Sequence, residues 1–193
     1  DYIIDEKDKA IVGNSQPRVN GGMSVNLRYK NLSLFTSFSF LLRRDIINKV
    51  LADNFKSFNH PAVMGGDLQK DAALAPIDAY NFWTPTNIHA DYPNPYDYQH
   101  SSVIDPFRPD QTLFMEDGSY FKINAITLSY SLPKKWANYI RIRHASIRMS
   151  LTNIYTFSKY SGINPENVTS IGWDNSGGYP NARTFSMGLT IGL

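Results

Sequence analysis

Apolar and polar residues begin to alternate after roughly twenty mostly polar positions that hold the turn formers Gly13, Asn14 and Pro17. In GGMSVNLRYKN, Met23, Val25, Leu27 and Tyr29 fall on one face, and Ser24, Asn26, Arg28 and Lys30 on the other. A period of two marks a strand with one apolar and one polar face. LSLFTSFSFLLRR follows after almost no connection, with Leu32, Leu34, Phe38, Phe40 and Leu42 alternating against Ser33, Ser37, Ser39 and Arg43. Lys30 and Asn31 are then the tight turn of a hairpin. Across 44–118 the pattern breaks. Asp45 to Lys56 has apolar residues at helical spacing and predicts a short helix. NFWTPTNIHADYPNPYDYQH contains Pro85, Pro93 and Pro95, which argue against regular structure. A connection this long is unusual inside a compact soluble domain and marks a functional or disordered loop.

Strands resume at Ser119. In SYFKINAITLSYSL, Phe121 and Ile123 share a face early, and Ile126, Leu128, Tyr130 and Leu132 share one later. That slip near Ala125–Ile126 predicts a bulge. Pro133, Lys134 and Lys135 make a short turn. IRIRHASIRMSLTNIYTF reads as another long strand with a slip near His144–Ala145, after which Ile147, Met149 and Leu151 oppose Arg148, Ser150 and Thr152. KYSGINPENVTSIGWDNSGGYPN is a second long loop. In the last strand Phe185, Met187, Leu189, Ile191 and Leu193 oppose Thr184, Ser186, Gly188, Thr190 and Gly192. The reading is all-β, with strands near 20–30, 32–43, 119–132, 140–155 and 183–193. Loops take 1–19, 44–118 and 157–181.

Composition narrows the class. Charged residues are 19% of the chain, below the norm of roughly 25% for soluble domains. Net charge is +2, and the basic residues are scattered or paired, as at Arg43–Arg44 and Lys134–Lys135. That is too little to argue for nucleic acid, and no nucleic-acid partner is expected. Cysteine is absent, which excludes disulfides and thiolate metal sites. No apolar run approaches the roughly 18 residues of a membrane helix. The chain starts at Asp1 without an initiator Met or a signal region, so a mature or partial chain is expected.

Short and long connections alternate from residue 30 to residue 181. Outer-membrane barrels have short periplasmic turns and long external loops. With Lys30–Asn31 and Pro133–Lys135 in the periplasm, every strand direction agrees. Each strand supplies the roughly 9–11 residues of a tilted membrane-spanning strand. The small polar residues of the second face suit a wet or plugged lumen. Five strands cannot close a barrel, since the smallest bacterial ones have about 8. A soluble β-sandwich that binds glycans is the alternative; it would bury one face of the strands against a second sheet.

Five blocks then carry a resemblance. DYIIDEKDKAIVGNSQPRVNGG, LRYKNLSLFTSFSF, EDGSYFKINAITLSYSLPKKW, LTNIYTFSKYSGINPE and YPNARTFSMGLTIGL resemble, in order, motifs at the C-terminal end of the SusC/RagA class of TonB-dependent outer-membrane transporters of Bacteroidetes. Asn164 stands where that class usually has Asp, and Leu193 where an aromatic residue is common. The resemblance implies a large antiparallel transmembrane barrel of about 22 strands with a plugged lumen. It implies location in the bacterial outer membrane, a SusD-like surface lipoprotein as lid, energy from TonB, and oligosaccharide or oligopeptide cargo. The plug domain and TonB-binding segment have no counterpart in these 193 residues.

Candidate sites follow from residue chemistry. Trp83, Tyr92, Tyr96 and Tyr98 lie in the first long loop, where aromatic faces can stack on sugars or pack on peptides, or simply pack the loop or the lipoprotein. Trp173, Asp174 and Asn175 in the last loop offer a ring beside two polar groups, a common binding combination. Asp1, Asp5 and Asp8 have the spacing of a calcium loop, but no central Gly and no closing Glu, so a solvated acidic loop is the plainer reading. A structural calcium is thus the one cofactor in view, and none is required. Arg141, Arg143 and Arg148 read as lumen polarity or a contact to the plug. Tyr29, Tyr130, Trp136 and Tyr139 flank the periplasmic turns as an aromatic girdle. His60, His89, His100 and His144 show no ligand spacing. No nucleophile motif, P-loop or dinucleotide fingerprint occurs, so no enzyme is expected.

Overall fold

The computed structural model describes residues 10–59, 79–94, 107–174 and 180–192. In chain order the elements are β1 (Val19–Tyr29), β2 (Leu32–Leu42), β3 (Asp45–Ile47), α1 (Lys49–Asn59), β4 (Met115–Asp117), β5 (Tyr120–Ser131), α2 (Lys134–Tyr139), β6 (His144–Ser158) and β7 (Thr184–Gly192). The chain divides into two compact units. A strand unit takes Pro17–Arg44, Gly118–Tyr160 and Tyr179–Leu193; a loop unit takes Asp1–Gln16, Asp45–Asp117 and Ser161–Gly178.

The strand unit is one antiparallel sheet in the order β1-β2-β5-β6-β7. Its register sorts the side chains by polarity across all five strands. One row is Leu27, Leu34, Leu128, Met149 and Met187; the next is Tyr29, Leu32, Tyr130, Ile147 and Leu189. Interleaved rows point to the opposite face. They read Asn26, Phe35, Thr127, Ser150 and Ser186, then Arg28, Ser33, Ser129, Arg148 and Gly188. Phe35 therefore interrupts the polar face, and Thr36 the apolar one. The β1–β2 turn is Lys30–Asn31, with Lys30 in the left-handed region at φ 51, as tight hairpins require. Asn31 ties this turn to β5, since its Nδ2 donates to the Ser131 carbonyl and its own carbonyl accepts from Ser131 N.

The bulge expected near Ala125–Ile126 is present at Asn124, between Ile123 and Ala125. It returns Phe121 and Ile123 to the face of Ile126 and Leu128. In β6 two residues, Asn153 and Ile154, lie opposite Asn124. Asn153 takes the left-handed conformation at φ 52, which Asn tolerates.

Several boundaries differ from the sequence reading. β6 runs from His144 to Ser158 rather than over 140–155. The slip near His144–Ala145 is the start of the strand, not a bulge. Arg141 and Arg143 precede β6, and of the three arginines Arg148 alone lies on it. Lys134 and Lys135 open helix α2 instead of forming a bare turn, so the β5–β6 connection covers 132–143. Asp45–Ile47 is a strand, paired with β4, and the helix begins only at Lys49. There the backbone of Ile47 bonds to Gly172 and Asp174, and tertiary pairing overrides helical spacing.

The loop unit has its own core of Leu51, Ala52, Phe55, Phe82, Phe107 and Phe114. The Phe55 ring meets Tyr80, Phe82, Tyr92 and Phe107 edge-on, with centroids 4.8, 5.1, 4.9 and 5.3 Å away. Edge-to-face contacts at such distances stabilise beyond area burial, by roughly 0.5–1.5 kcal/mol each.

Candidate functional site

The strand unit offers a broad two-faced surface. Its apolar face lies open: Leu27 is 59% exposed, Met187 64% and Phe185 63%. A β-sandwich would bury that face against a second sheet. A contiguous apolar area of this size marks a membrane or partner surface. The other face carries hydroxyls, amides and arginines, suited to water. An 11-residue strand such as β1 or β2 spans a bilayer core when tilted. Among the described residues, edge strands β1 and β7 each leave one backbone edge unpaired in the sheet, and such an edge is a template for pairing with a further strand.

The loop unit is knitted by a polar node. Asn48 caps α1, its Oδ1 accepting from Leu51 N at 3.0 Å. Its Nδ2 donates to Glu116 Oε1 at 2.8 Å and to Ser161 Oγ at 3.0 Å. Glu116 also accepts from Ser161 N and Ser161 Oγ. A buried amide spends its hydrogen bonds on three separate chain segments this way. A second knot joins 14–15, 45–47 and 172–174. Asp45 Oδ2 accepts from Asn14 N at 2.8 Å, and Ile47 N donates to Gly172 O at 2.8 Å. Gly172 sits at φ +87, and a Cβ there would lie 2.8 Å from Ser15 Cβ. A cleft of about 290 Å³ opens beside this knot, lined by Val12, Asn14, Asp45, Met115 and Ile171 among others.

The sequence candidates fall in different places. Trp173 bridges to Ile47 and is partly buried. Asp174 is only 3% exposed, and its backbone N donates to Ile47 O at 2.9 Å. It therefore serves the fold of the loop. Trp83 is 40% exposed, with its N donating to Tyr92 O at 2.8 Å. Tyr92 joins the Phe55 cluster instead of standing free. Burial raises its hydroxyl pKa above the ordinary 10.0, and the charge of Glu116, then Tyr80 and Asp91, pushes the same way. Trp83 and Trp173 are thus held by different partners. Tyr96, Tyr98, Asn175, Asp1, Asp5, Asp8, His60 and His100 lie outside the described residues. The sequence reading missed Asn48, Glu116 and Ser161. The one signal for Asn48 was an Asn ahead of a helical run.

No family model matches the chain. Curated relatives do. TonB-dependent receptor P3 of Formosa agariphila is 28% identical over 198 residues, covering 97% of this chain. TonB-dependent receptor P26 of the same organism is 29% identical and covers 99%. The chain spans 18% of the length of each. Among solved structures, the RagAB peptide transporter is 25% identical, with a TM-score of 0.66 over 95% of this chain. The RagAB peptide importer in its "closed-closed" state is 24% identical with a TM-score of 0.67 and shares the fold. In both the chain again matches 18% of the solved chain. A two-faced sheet, near-complete alignment to TonB-dependent receptors and the fold shared with RagAB make this chain similar, over its whole length, to a stretch of the barrel of RagA-like TonB-dependent outer-membrane receptors.

Proposed function

We propose that the chain is a stretch of barrel wall and external loops in a TonB-dependent importer that takes up oligopeptides or oligosaccharides. The observation that carries this is the polarity sorting of five adjacent strands, with one open apolar face for lipid and one hydroxyl-rich face for a wet lumen. The wall does no chemistry; its role is to enclose a path. Transport energy comes from TonB through parts of the protein beyond this stretch. A SusD-like surface lipoprotein lids the barrel, and the loop unit, with its rigid aromatic core, is the part of the chain suited to meet lid and cargo. Trp83 and Trp173 are the candidate contacts here, with Tyr96 and Asn175 kept from the sequence reading. The solved neighbours are described as a peptide importer, which favours oligopeptides over sugars.

The test is purification of the native protein from the outer membrane in mild detergent, followed by mass spectrometry of co-purifying proteins and an uptake assay with labelled oligopeptides. A surface lipoprotein in the complex and peptide uptake that stops without TonB are expected. Recovery from the water-soluble fraction without a lipoprotein would overturn the reading.

A further inference from the structure

The charges of the chain are separated by unit. Across Pro17–Arg44, Gly118–Tyr160 and Tyr179–Leu193 there is no Asp or Glu, and all 17 acidic residues lie elsewhere. The strand unit is purely cationic, although the whole chain carries only +2. The fold then gathers several of these cations at one end of the sheet. Lys30 is the β1–β2 turn, Lys134 and Lys135 open α2, and Arg141 and Arg143 follow it. All five are exposed, and none has an acidic partner among the described residues.

The segment that carries most of them is pinned in place. Ile142 N donates to Ala137 O, Arg143 N to Gly192 O, and Leu132 N to Ala145 O. Arg141 turns the chain in the left-handed region at φ 57. Interleaved with the cations are exposed rings: Trp136 is 69% and Tyr139 89% exposed. At the same end lies the last apolar row of the sheet, from Tyr29 through Tyr130 to Leu189. Lys30 Nζ sits 5.1 Å from the centroid of the Tyr29 ring. Amphipathic rings beside an apolar belt mark the depth of lipid headgroups. Cations without acids at that depth match anionic headgroups in charge.

We infer that this rim, built from Lys134, Lys135, Arg141 and Arg143 with Trp136 and Tyr139, is a docking surface for anionic phospholipid headgroups. The rings set the depth in the interface, and the cations engage the lipid phosphate. The surface is continuous with the apolar face that meets the hydrocarbon, so a bound lipid would lay its acyl chains along Tyr130, Ile147 and Leu189. The inference rests on the membrane placement of the sheet.

The test uses the native outer-membrane protein, extracted in mild detergent and exchanged into mixed phosphatidylglycerol and phosphatidylcholine. Native mass spectrometry reads the lipids retained. The wild type should retain phosphatidylglycerol over phosphatidylcholine by about tenfold, given the worth of each cation at an anionic surface. The variant K134Q/K135Q/R141Q/R143Q should lose that preference. The charge-preserving K134R/K135R/R141K/R143K should keep it, and so should R28Q/R148Q on the polar face. Equal retention of the two lipids by the wild type would overturn the proposal. So would a preference that survives in the neutralised rim, or one lost equally in R28Q/R148Q. A protein that extracts from the membrane yet shows no preference refutes the rim alone, whereas recovery in the soluble fraction refutes the importer reading itself.

Discussion

Asn48 and Gly172 hold the loop unit by different means. Asn48 caps α1 and binds Glu116 and Ser161, which are 68 and 113 positions away. Asn48→Ala removes the cap and one hydrogen bond to the half-buried Glu116 carboxylate, at a cost of about 1–2 kcal/mol. Faster limited proteolysis within 44–118, with the strands unaffected, is the expected result. Gly172→Ala forces a Cβ onto Ser15 at a left-handed φ, costing about 1–2 kcal/mol; it should loosen the same loops in hydrogen exchange. Tyr92 adds a pH dependence. Its folded pKa is raised above 10.0, chiefly by burial, so the folded state keeps a proton that the unfolded state loses. Stability is full below pH 10 and falls as pH rises from there through the raised value. Near-ultraviolet dichroism should report loosening of the Phe55 cluster in that window, and Tyr92→Phe should abolish the tyrosine contribution. None of these roles was legible in the sequence beyond a cap signal at Asn48, because each depends on partners that only the fold brings near.

The strands were far more legible, and the reason is physical. Period-two alternation fixes which face every residue takes, so the apolar rows could be read before any register was known. The Asn124 bulge was visible because one extra residue flips the parity between Ile123 and Ile126. The Asn153–Ile154 irregularity was not, because Leu151 and Tyr155 keep the same parity across it. Lys134–Tyr139 was missed as a helix because six residues give too little periodicity to separate it from a turn. The faces make a sharp prediction. Leu128→Arg puts a charge on the lipid side and should cost about 2–4 kcal/mol near mid-bilayer, seen as a lower fraction of heat-modifiable folded protein in outer membranes. Ser129→Arg, one residue along and on the polar face, should fold nearly as well as wild type.

At the largest scale, the strand unit is a sheet whose two edges and apolar face are open among the described residues, and each opening implies a neighbour. The edges of β1 and β7 imply further strands, the apolar face implies lipid, and the polar face implies a wet interior. The order of five sequence blocks pointed to the transporter class, and relatives over nearly the whole chain agree. Charge separation between the units was hidden by a net charge of +2, since the acid-free segments of the strand unit are interleaved along the chain with the acidic segments of the loop unit. The most direct test exploits the absence of cysteine from these 193 residues. Single cysteines are introduced in this chain at Met149 and Ser150, and spin-labelled in the native protein in lipid bilayers. Accessibility to oxygen, which concentrates in the bilayer, is compared with accessibility to a water-soluble nickel chelate. The membrane-wall account predicts that the label at Met149 meets oxygen and the label at Ser150 meets the nickel chelate or a buried polar environment. Equal access of the chelate to both positions would contradict it.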